Sequence, residues 1–421
     1  MKNVLIFPCG SEIGLEIYRS LSSSKFFNLF GGNSVDDHGK FVYQNYISNI
    51  PFINNEKFID SINEIIKKYN IDFIIPAHDS VVLKLAQNEK YLLSPIITSC
   101  LNTCIICRSK MKTYEKFDGI IQVPKIYKKN QYSQFPIFLK PDVGQGSKGT
   151  QKVNKYEDVE FYLKKDNSLL ILEYLPGKEY TIDCFTNRKG ELMFAEGRER
   201  CRISNGISVN SKFIQNKNFQ KIANIINKTL SFQGAWFFQV KERFDGELVL
   251  MEIAPRIAGT MELFRVMGVN FIELSLFDKM NIDVNIIFNK IEIEIDRSLK
   301  SKFIINNYYS TVYIDLDDTI IKDEKVNINI MKFIYDLKNK NKKIILLSKH
   351  KGNIEQTLNK FAISKLLFDE IIILNEIEEK CNYITENSIF IDDSFKERKN
   401  VYDKFKIPVF SVDAIETIES I

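Results

Sequence analysis

The apolar run Val4-Leu5-Ile6-Phe7 passes through Pro8-Cys9-Gly10-Ser11-Glu12-Ile13-Gly14 straight into a helical pattern at Leu15–Leu21. A short strand that feeds a helix directly favours a parallel sheet with crossover helices. The same texture returns at Phe73-Ile74-Ile75-Pro76 and again from Tyr313 to the C-terminus. Between them, from about residue 110, the pattern changes to hairpin-like strands separated by Gly, Asn and Lys-Gly turns: Phe135–Pro141, Ser168–Tyr174, Tyr180–Thr186, Leu192–Glu196, Gly234–Val240 and Glu247–Ile253. Those runs predict a largely antiparallel sheet. The stretch 281–309 is rich in Asn, Ile and Lys and has neither Gly nor Pro, and a boundary is placed near its end. At roughly 100–200 residues per domain, a chain of 421 residues is expected to hold several: 1–108, 109–300 and 310–421. The predicted class is therefore α/β at both ends with an α+β centre.

Charge and cysteine usage narrow the function. Fifty-eight basic residues against 54 acidic ones give a net charge of +4, too balanced for a dedicated nucleic-acid or anionic-membrane surface. No apolar run reaches the ~20 residues that span a bilayer, and Met1–Gly10 lacks the apolar stretch of a signal peptide. The expectation is a cytoplasmic protein with no membrane insertion and no nucleic-acid partner. Seven cysteines form an odd, sparse set, so reduced thiols are expected. Cys100, Cys104 and Cys107 do reproduce the C-x3-C-x2-C spacing of radical S-adenosylmethionine enzymes. Ile105 and Ile106 between two of them favour a buried segment over an open cluster loop.

Several loops are placed to meet a ligand. Gly10 and Gly14 suit a tight turn at a helix N-terminus, yet the three-glycine dinucleotide fingerprint is absent, so a packing role is expected. Loops after parallel strands commonly face a ligand, which makes His78 and Asp79 candidate substrate contacts, with a helix N-cap by Asp79 as the competing reading. Gly144-Gln145-Gly146-Ser147-Lys148-Gly149 follows a strand that ends in Lys140. Backbone N–H groups and two cations around one concavity are suited to a triphosphate. The segment has no terminal Gly-Lys-Ser/Thr and is not a P-loop.

Downstream come Glu173-Tyr174-Leu175-Pro176-Gly177-Lys178-Glu179-Tyr180-Thr181, then Gln239-Val240-Lys241, then Glu252-Ile253-Ala254-Pro255-Arg256. In this order the motifs resemble the carbamoyl-phosphate synthetase large-chain branch of the ATP-grasp superfamily, over about residues 1–295. The resemblance implies a Rossmann-like pre-ATP-grasp domain followed by the ATP-grasp domain, with ATP and Mg²⁺ (or Mn²⁺) as cofactors. It implies that Lys110 and Lys140 contact phosphates and that the loop bearing Gly144, Gly146, Ser147, Lys148 and Gly149 closes over them. It places the adenine edge against Glu173, Tyr174 and Leu175, and the ribose on Glu179. Gln239 and Glu252 match metal-ligand positions, and the usual third ligand is replaced by Ala254, which cannot ligate. Arg256 matches the arginine that faces the transferred phosphoryl group. Arg198, Arg200 and Arg202 alternate, so on a strand they share a face, and Arg200 and Arg202 are the candidate substrate contacts.

A second constellation lies near the C-terminus. Val312-Tyr313-Ile314 delivers Asp315 and Asp317, two apart, into a loop, and period-two spacing puts them on one side. Ile344–Ser348 ends in a hydroxyl, and Ile389–Asp393 ends in paired acids. The set resembles the haloacid dehalogenase-like phosphatases. It implies Asp315 as nucleophile, Asp317 as general acid/base, Ser348 and Lys380 as phosphate contacts with Lys349 as a rival lysine, and Mg²⁺ held by Asp315, Asp317, Asp392 and Asp393. The short interval between Thr319 and Ser348, filled largely by the helix pattern Ile328–Lys338, leaves no room for a cap domain. The whole chain then reads as a carboxylate–amine ligase acting on small molecules, fused to a phosphatase, with a place in bacterial surface-polysaccharide synthesis implied by resemblance. A small-molecule kinase, a non-catalytic nucleotide-binding regulator and a homo-oligomer stay open.

Overall fold

In the computed structural model, residues 1–421 are described except 130, 133, 145, 300, 302, 304–308 and 418–421, together with the side chains of 416–417. Gln145 of the glycine loop and part of the 301–309 stretch lie outside the described residues. The chain divides into two compact units, Met1–Ser298 and Leu299–Ile421. Among the described residues, no helix is long and apolar enough to cross a membrane.

The first unit begins with a four-stranded sheet in the order Asn45–Ile47, Phe27–Gly32, Lys2–Phe7, Phe73–Pro76, all parallel. The run Val4–Phe7 is buried on both faces, which is why it reads as continuous apolar sequence. The helix Glu12–Leu21 starts at Ser11, whose side chain accepts from Gly14 N at 3.0 Å. A Cβ on Gly14 would collide with the Cys9 carbonyl, and Tyr43 donates its hydroxyl proton to Gly14 O at 2.6 Å. Gly14 is thus a packing glycine, needed where the helix crosses the strand end.

Two antiparallel sheets follow. One has the order Ile126–Tyr127, Leu169–Glu173, Ile137–Pro141, Gln151–Val153. The other has six strands in the order Leu248–Ala254, Gly234–Glu242, Glu179–Thr186, Leu192–Ser204, Ile207–Ile214, Glu294–Asp296. One core runs from Val4, Ile6 and Ile17 of the parallel layer to Phe185, Phe194, Phe264 and Phe271. That continuity ties the loops after the parallel strands to the face of the six-stranded sheet.

The second unit is a five-stranded parallel sheet in the order Glu370–Ile373, Lys343–Ser348, Thr311–Ile314, Ser388–Ile391, Val409–Phe410. Helix Ile328–Asn339, capped by Asn327, buries Ile330, Phe333, Ile334 and Leu337. Ile314 is in register with both Leu346 and Ile391. The residues just beyond these central strands therefore emerge together at the carboxyl edge, where open parallel sheets place ligands.

Candidate functional site

Two adjoining cavities of about 360 and 120 Å³ occupy the face of the six-stranded sheet. They share a wall made of Lys110, Gly144, Gly146, Lys148, Arg200, Gly206, Gln239 and Glu252. Lys140, Ser147, Glu179 and Lys241 line only the smaller one. His78, Asp79, Arg108, Arg198, Arg256 and Arg297 line only the larger one. Gln239 and Glu252 are register partners on adjacent antiparallel strands, so their side chains share a face and bring one amide oxygen and one carboxylate to the common wall.

The cations here are held in place before any ligand arrives. Lys110 Nζ donates to the carbonyls of Asp142 (3.1 Å) and Gly144 (3.3 Å), bracing the glycine loop. Burial pulls its pKa below the ordinary lysine value, against the pull of Glu252. Lys140 is pushed further, to about 8, again by burial first with Glu252 opposing. Arg200 donates to Glu179, to Gln239 Oε1 (3.1 Å) and to Gly206 O (3.0 Å). Gly206 packs so closely on the glycine loop that a Cβ would collide with the Gly146 backbone. Ser147 and Gly149 complete that loop in left-handed conformations (φ 54° and 75°), and Gly149 lines neither cavity.

Arg256 donates to both oxygens of Asp79 at 2.6 Å. Burial raises the Asp79 carboxyl, but Arg256 outweighs it and holds the group below the usual carboxylate range. His78, not Asp79, caps the helix Asp79–Gln87, accepting from Ser80 N at 3.3 Å. The N-cap expectation for Asp79 is corrected accordingly, because its carboxylate is committed to Arg256.

Arg202 also needs correction. Register shifts between Arg200, Arg202 and Ile203 interrupt the alternation, as a bulge does. Arg202 lies 59 % exposed and pairs with Asp296 at 2.7 Å, outside both cavities. Arg198 lines the larger cavity instead, with its guanidinium on buried Asp183 (2.7 Å). Glu173 is tied to Arg243 (2.8 Å) and to the Lys125 amide (2.9 Å), Tyr174 stacks under Lys152, and Leu175 is buried. None of these three lines either cavity. Cys100 precedes the helix Leu101–Arg108, which carries Cys104 at its middle and Cys107 near its end, and among the described residues they form no metal-binding group.

In the second unit, Asp315, Asp392 and Asp393 offer oxygens within 4.8 Å of one another, and this is the metal-capable group found among the described residues. Lys380 reaches Asp315 at 2.7 Å and Asp392 at 2.6 Å. Its rival Lys349 is paired with Glu397 at 2.9 Å. Burial raises the pKa of Asp315 despite Lys380. Asp392 is pushed up to about 6 by burial and by Asp315. Burial opposes the Lys380 ammonium, yet the two carboxylates keep its pKa above the ordinary value. Ser348 is buried beside Asp315. Asp317 is not in the cluster: its carboxylate is turned to His350 Nδ1, 3.0 Å from both oxygens. Its expected place among the metal ligands is corrected, since its carboxylate is committed to His350 and lies outside the three-acid group.

Sequence reasoning missed Arg108, Gly206, Arg297 and His350. Arg297 follows a three-residue edge strand, Glu294–Asp296, and pairs with Glu12 across the sequence, a relation no local pattern carries. His350, two residues beyond the strand Lys343–Ser348, had a usable signal in its position after a parallel strand.

Residues 165–292 match the family model described as ATP-grasp in the biosynthetic pathway with Ter operon. The chain is 24 % identical over 184 residues to carbamoyl-phosphate synthase of Methanobrevibacter smithii, covering 37 % of this chain and 50 % of the synthase. It thus spans half the length of the curated relative it matches. N5-carboxyaminoimidazole synthetase of Staphylococcus aureus, complexed with ADP, has a similar structure, with a TM-score of 0.56 at 14 % identity over 69 % of this chain and 80 % of that one. L-amino acid ligase of Bacillus licheniformis superposes with a TM-score of 0.53 at 16 % identity over 66 % and 73 % of the two chains. The family match falls within the first compact unit, Met1–Ser298, and the chain contains an ATP-grasp domain.

Proposed function

We propose that the first unit is an ATP-dependent carboxylate–amine ligase, which converts a small acid to its acyl-phosphate and passes the acyl group to an amine. The observation that carries this reading is the shared wall of the two cavities. Lys140, Glu179 and the glycine loop line the smaller one, and Arg256 and His78 line the larger one. A nucleotide in the first and an acid in the second would meet at Arg200, Gln239 and Glu252. The donor set at that wall fits Mg²⁺, which takes one or two protein oxygens and fills the rest of its shell with phosphate and water. Glu252 and Gln239 supply those two, and Ala254 supplies none. When bound, the ion would neutralise charge on the phosphates. Arg256, a planar donor already fixed by Asp79, would steady the acyl-phosphate. The ADP complex of one structural neighbour and the amino-acid ligase activity named for another support the same class.

We further propose that the second unit is an uncapped phosphomonoesterase of the haloacid dehalogenase type, and that residues 1–108 are a Rossmann-like domain serving the ligase. Three clustered carboxylates, two of them paired with Lys380, fit a Mg²⁺ site. Asp315 would attack phosphorus, and Asp317 would protonate the leaving oxygen. A uronic acid and a small amine, within bacterial surface-polysaccharide synthesis in the cytoplasm, form the proposed setting. The deciding experiment is a screen of uronic acids and small amines, such as serinol and ethanolamine, for acid-dependent ADP release and amide product by mass spectrometry. ADP release that needs the acid but never yields an amide would replace the ligase by a kinase.

A further inference from the structure

Asp317 is 50 % exposed, and a carboxylate in that setting normally samples several rotamers. Here one ring fixes it. His350 Nδ1 lies 3.0 Å from each Asp317 oxygen, and the opposite ring nitrogen, Nε2, lies 2.8 Å from Thr357 Oγ1. The His350 side chain is only 11 % exposed. Thr357 belongs to the helix Ile354–Lys360, whose start is pinned by Asn353 Oδ1 accepting from Gln356 N at 3.0 Å. In the tautomer with the proton on Nδ1, the ring donates to an Asp317 oxygen and Nε2 accepts from the Thr357 hydroxyl. The chain of contacts therefore runs from a capped helix, through Thr357 and His350, to Asp317.

We infer that His350 is the positioning residue for the acid/base step of the second unit, with Thr357 holding its ring. The inference rests on the phosphatase reading. In that reaction, the bond from phosphorus to the ester oxygen breaks as a bond from phosphorus to Asp315 forms. Asp317, protonated on one oxygen while the other accepts from Nδ1–H, gives its proton to the departing alkoxide. It recovers a proton from the water that then cleaves the aspartyl phosphate, so the group ends as it began. A carboxylic acid delivers this proton only when it is aimed at the leaving oxygen, and general acid catalysis is worth about 10²–10⁴-fold. A ring that restricts Asp317 to one orientation secures part of that factor.

The need for a proton grows with the basicity of the leaving group, which separates positioning from a merely structural role. Ethanolamine phosphate releases a basic alkoxide, and p-nitrophenyl phosphate releases a weakly basic phenolate. With Mg²⁺ and the full-length protein, His350→Ala is expected to lower ethanolamine phosphate hydrolysis by about tenfold or more, in kcat rather than KM, and p-nitrophenyl phosphate hydrolysis by clearly less. His350→Asn keeps an N–H close to the Nδ1 position and is expected to recover most of the loss. Thr357→Val frees the ring and is expected to give a smaller loss of the same pattern. If alanine unfolds the unit, Thr357→Val carries the same comparison. Equal losses on both esters, or none, overturn the inference while leaving the phosphatase standing. A wild-type protein that hydrolyses neither these esters nor the uronamide conjugate of ethanolamine phosphate overturns the phosphatase reading, and the inference falls with it.

Discussion

Arg256 and Asp79 form a two-point ion pair, both hydrogen bonds 2.6 Å long, between the segment after strand Leu248–Ala254 and the first residue of helix Asp79–Gln87. The pair fixes the plane of the guanidinium at the wall of the larger cavity, and Arg256 Nη1 also donates to Ile257 O at 2.9 Å. The pair is part-buried, so breaking it from one side leaves an uncompensated charge at a cost below the ~3–5 kcal/mol of a fully buried pair. Asp79→Asn is therefore expected to lower stability in denaturant titration as well as ligase rate.

Arg256→Ala and Glu252→Gln each remove charge stabilisation where phosphoryl transfer is proposed, an effect of about 10²-fold or more. Acid-dependent ADP release is expected to fall by that factor in a coupled assay, with phosphatase activity unchanged, because Asp315 and its partners lie in a separate compact unit. Normal ligase rates in both variants would remove the two residues from the transfer site.

Lys140 links nucleotide binding to pH. Burial lowers its pKa to about 8, so in the free protein the ammonium is lost as pH rises through 8. Bound phosphate favours the charged form and raises that pKa. ATP binding near pH 8–9 is then expected to take up protons, and affinity should fall above pH 8 with a slope of up to about one log unit per pH unit. Calorimetry in buffers of different ionisation enthalpy measures the uptake, which Lys140→Met is expected to abolish.

How much of this was legible depended on range. The strands bearing Lys140, Gln239, Glu252 and Asp315 were readable because each is an apolar run ending in a polar residue, and the pairing of Gln239 with Glu252 follows from adjacent antiparallel strands. The alternation of Arg198, Arg200 and Arg202 predicted one face, but a local register shift undid it, and such shifts leave no mark in composition. Arg256 with Asp79, Arg297 with Glu12 and Asp317 with His350 are joined by packing alone. The chemistry carried by single elements was visible, and the pairs that orient it were not.

The displaced register separates two arginines experimentally. Arg200 touches Glu179, Gln239 and Gly206 at the shared wall, so Arg200→Ala should weaken ATP binding and cut ligase activity by at least about tenfold. Arg202 makes an exposed, solvent-screened pair with Asp296, the kind that adds little to stability. Arg202→Ala should leave melting temperature and kinetics near wild type, and a large loss there would restore it to the substrate site.

Asp392 sets a pH dependence of opposite sign to that of an ordinary salt-bridged acid. Its native pKa is about 6 against 3.8 for the unperturbed group, so the folded state holds a proton that the unfolded state has lost between those values. Its contribution to stability is complete below about pH 4 and is lost as pH rises through 6. A divalent cation needs both carboxylates ionised, so the rise in melting temperature caused by Mg²⁺ should be larger at pH 7 than at pH 5. An equal rise at both pH values would separate the metal from this cluster.

The last expectation concerns the nucleophile. Strand Thr311–Ile314 delivers Asp315 to the carboxyl edge of the sheet, between the ends of Lys343–Ser348 and Ser388–Ile391. Lys380 lies 2.7 Å away, and Ser348 is buried at its side. Asparagine keeps the size of the side chain but cannot attack phosphorus as a carboxylate does. Asp315→Asn in the full-length protein is thus expected to abolish Mg²⁺-dependent hydrolysis of serinol phosphate, ethanolamine phosphate and their uronamide conjugates. Folding should survive, because Lys380 retains Asp392 at 2.6 Å when the Asp315 charge is gone. The conjugates are included because an uncapped site is open to a bulky substrate, and a product of the ligase unit would be one. Undiminished hydrolysis by the asparagine variant would exclude Asp315 as the attacking group. Magnesium binding by the wild type without turnover of any ester would leave the second unit as a cation-binding domain.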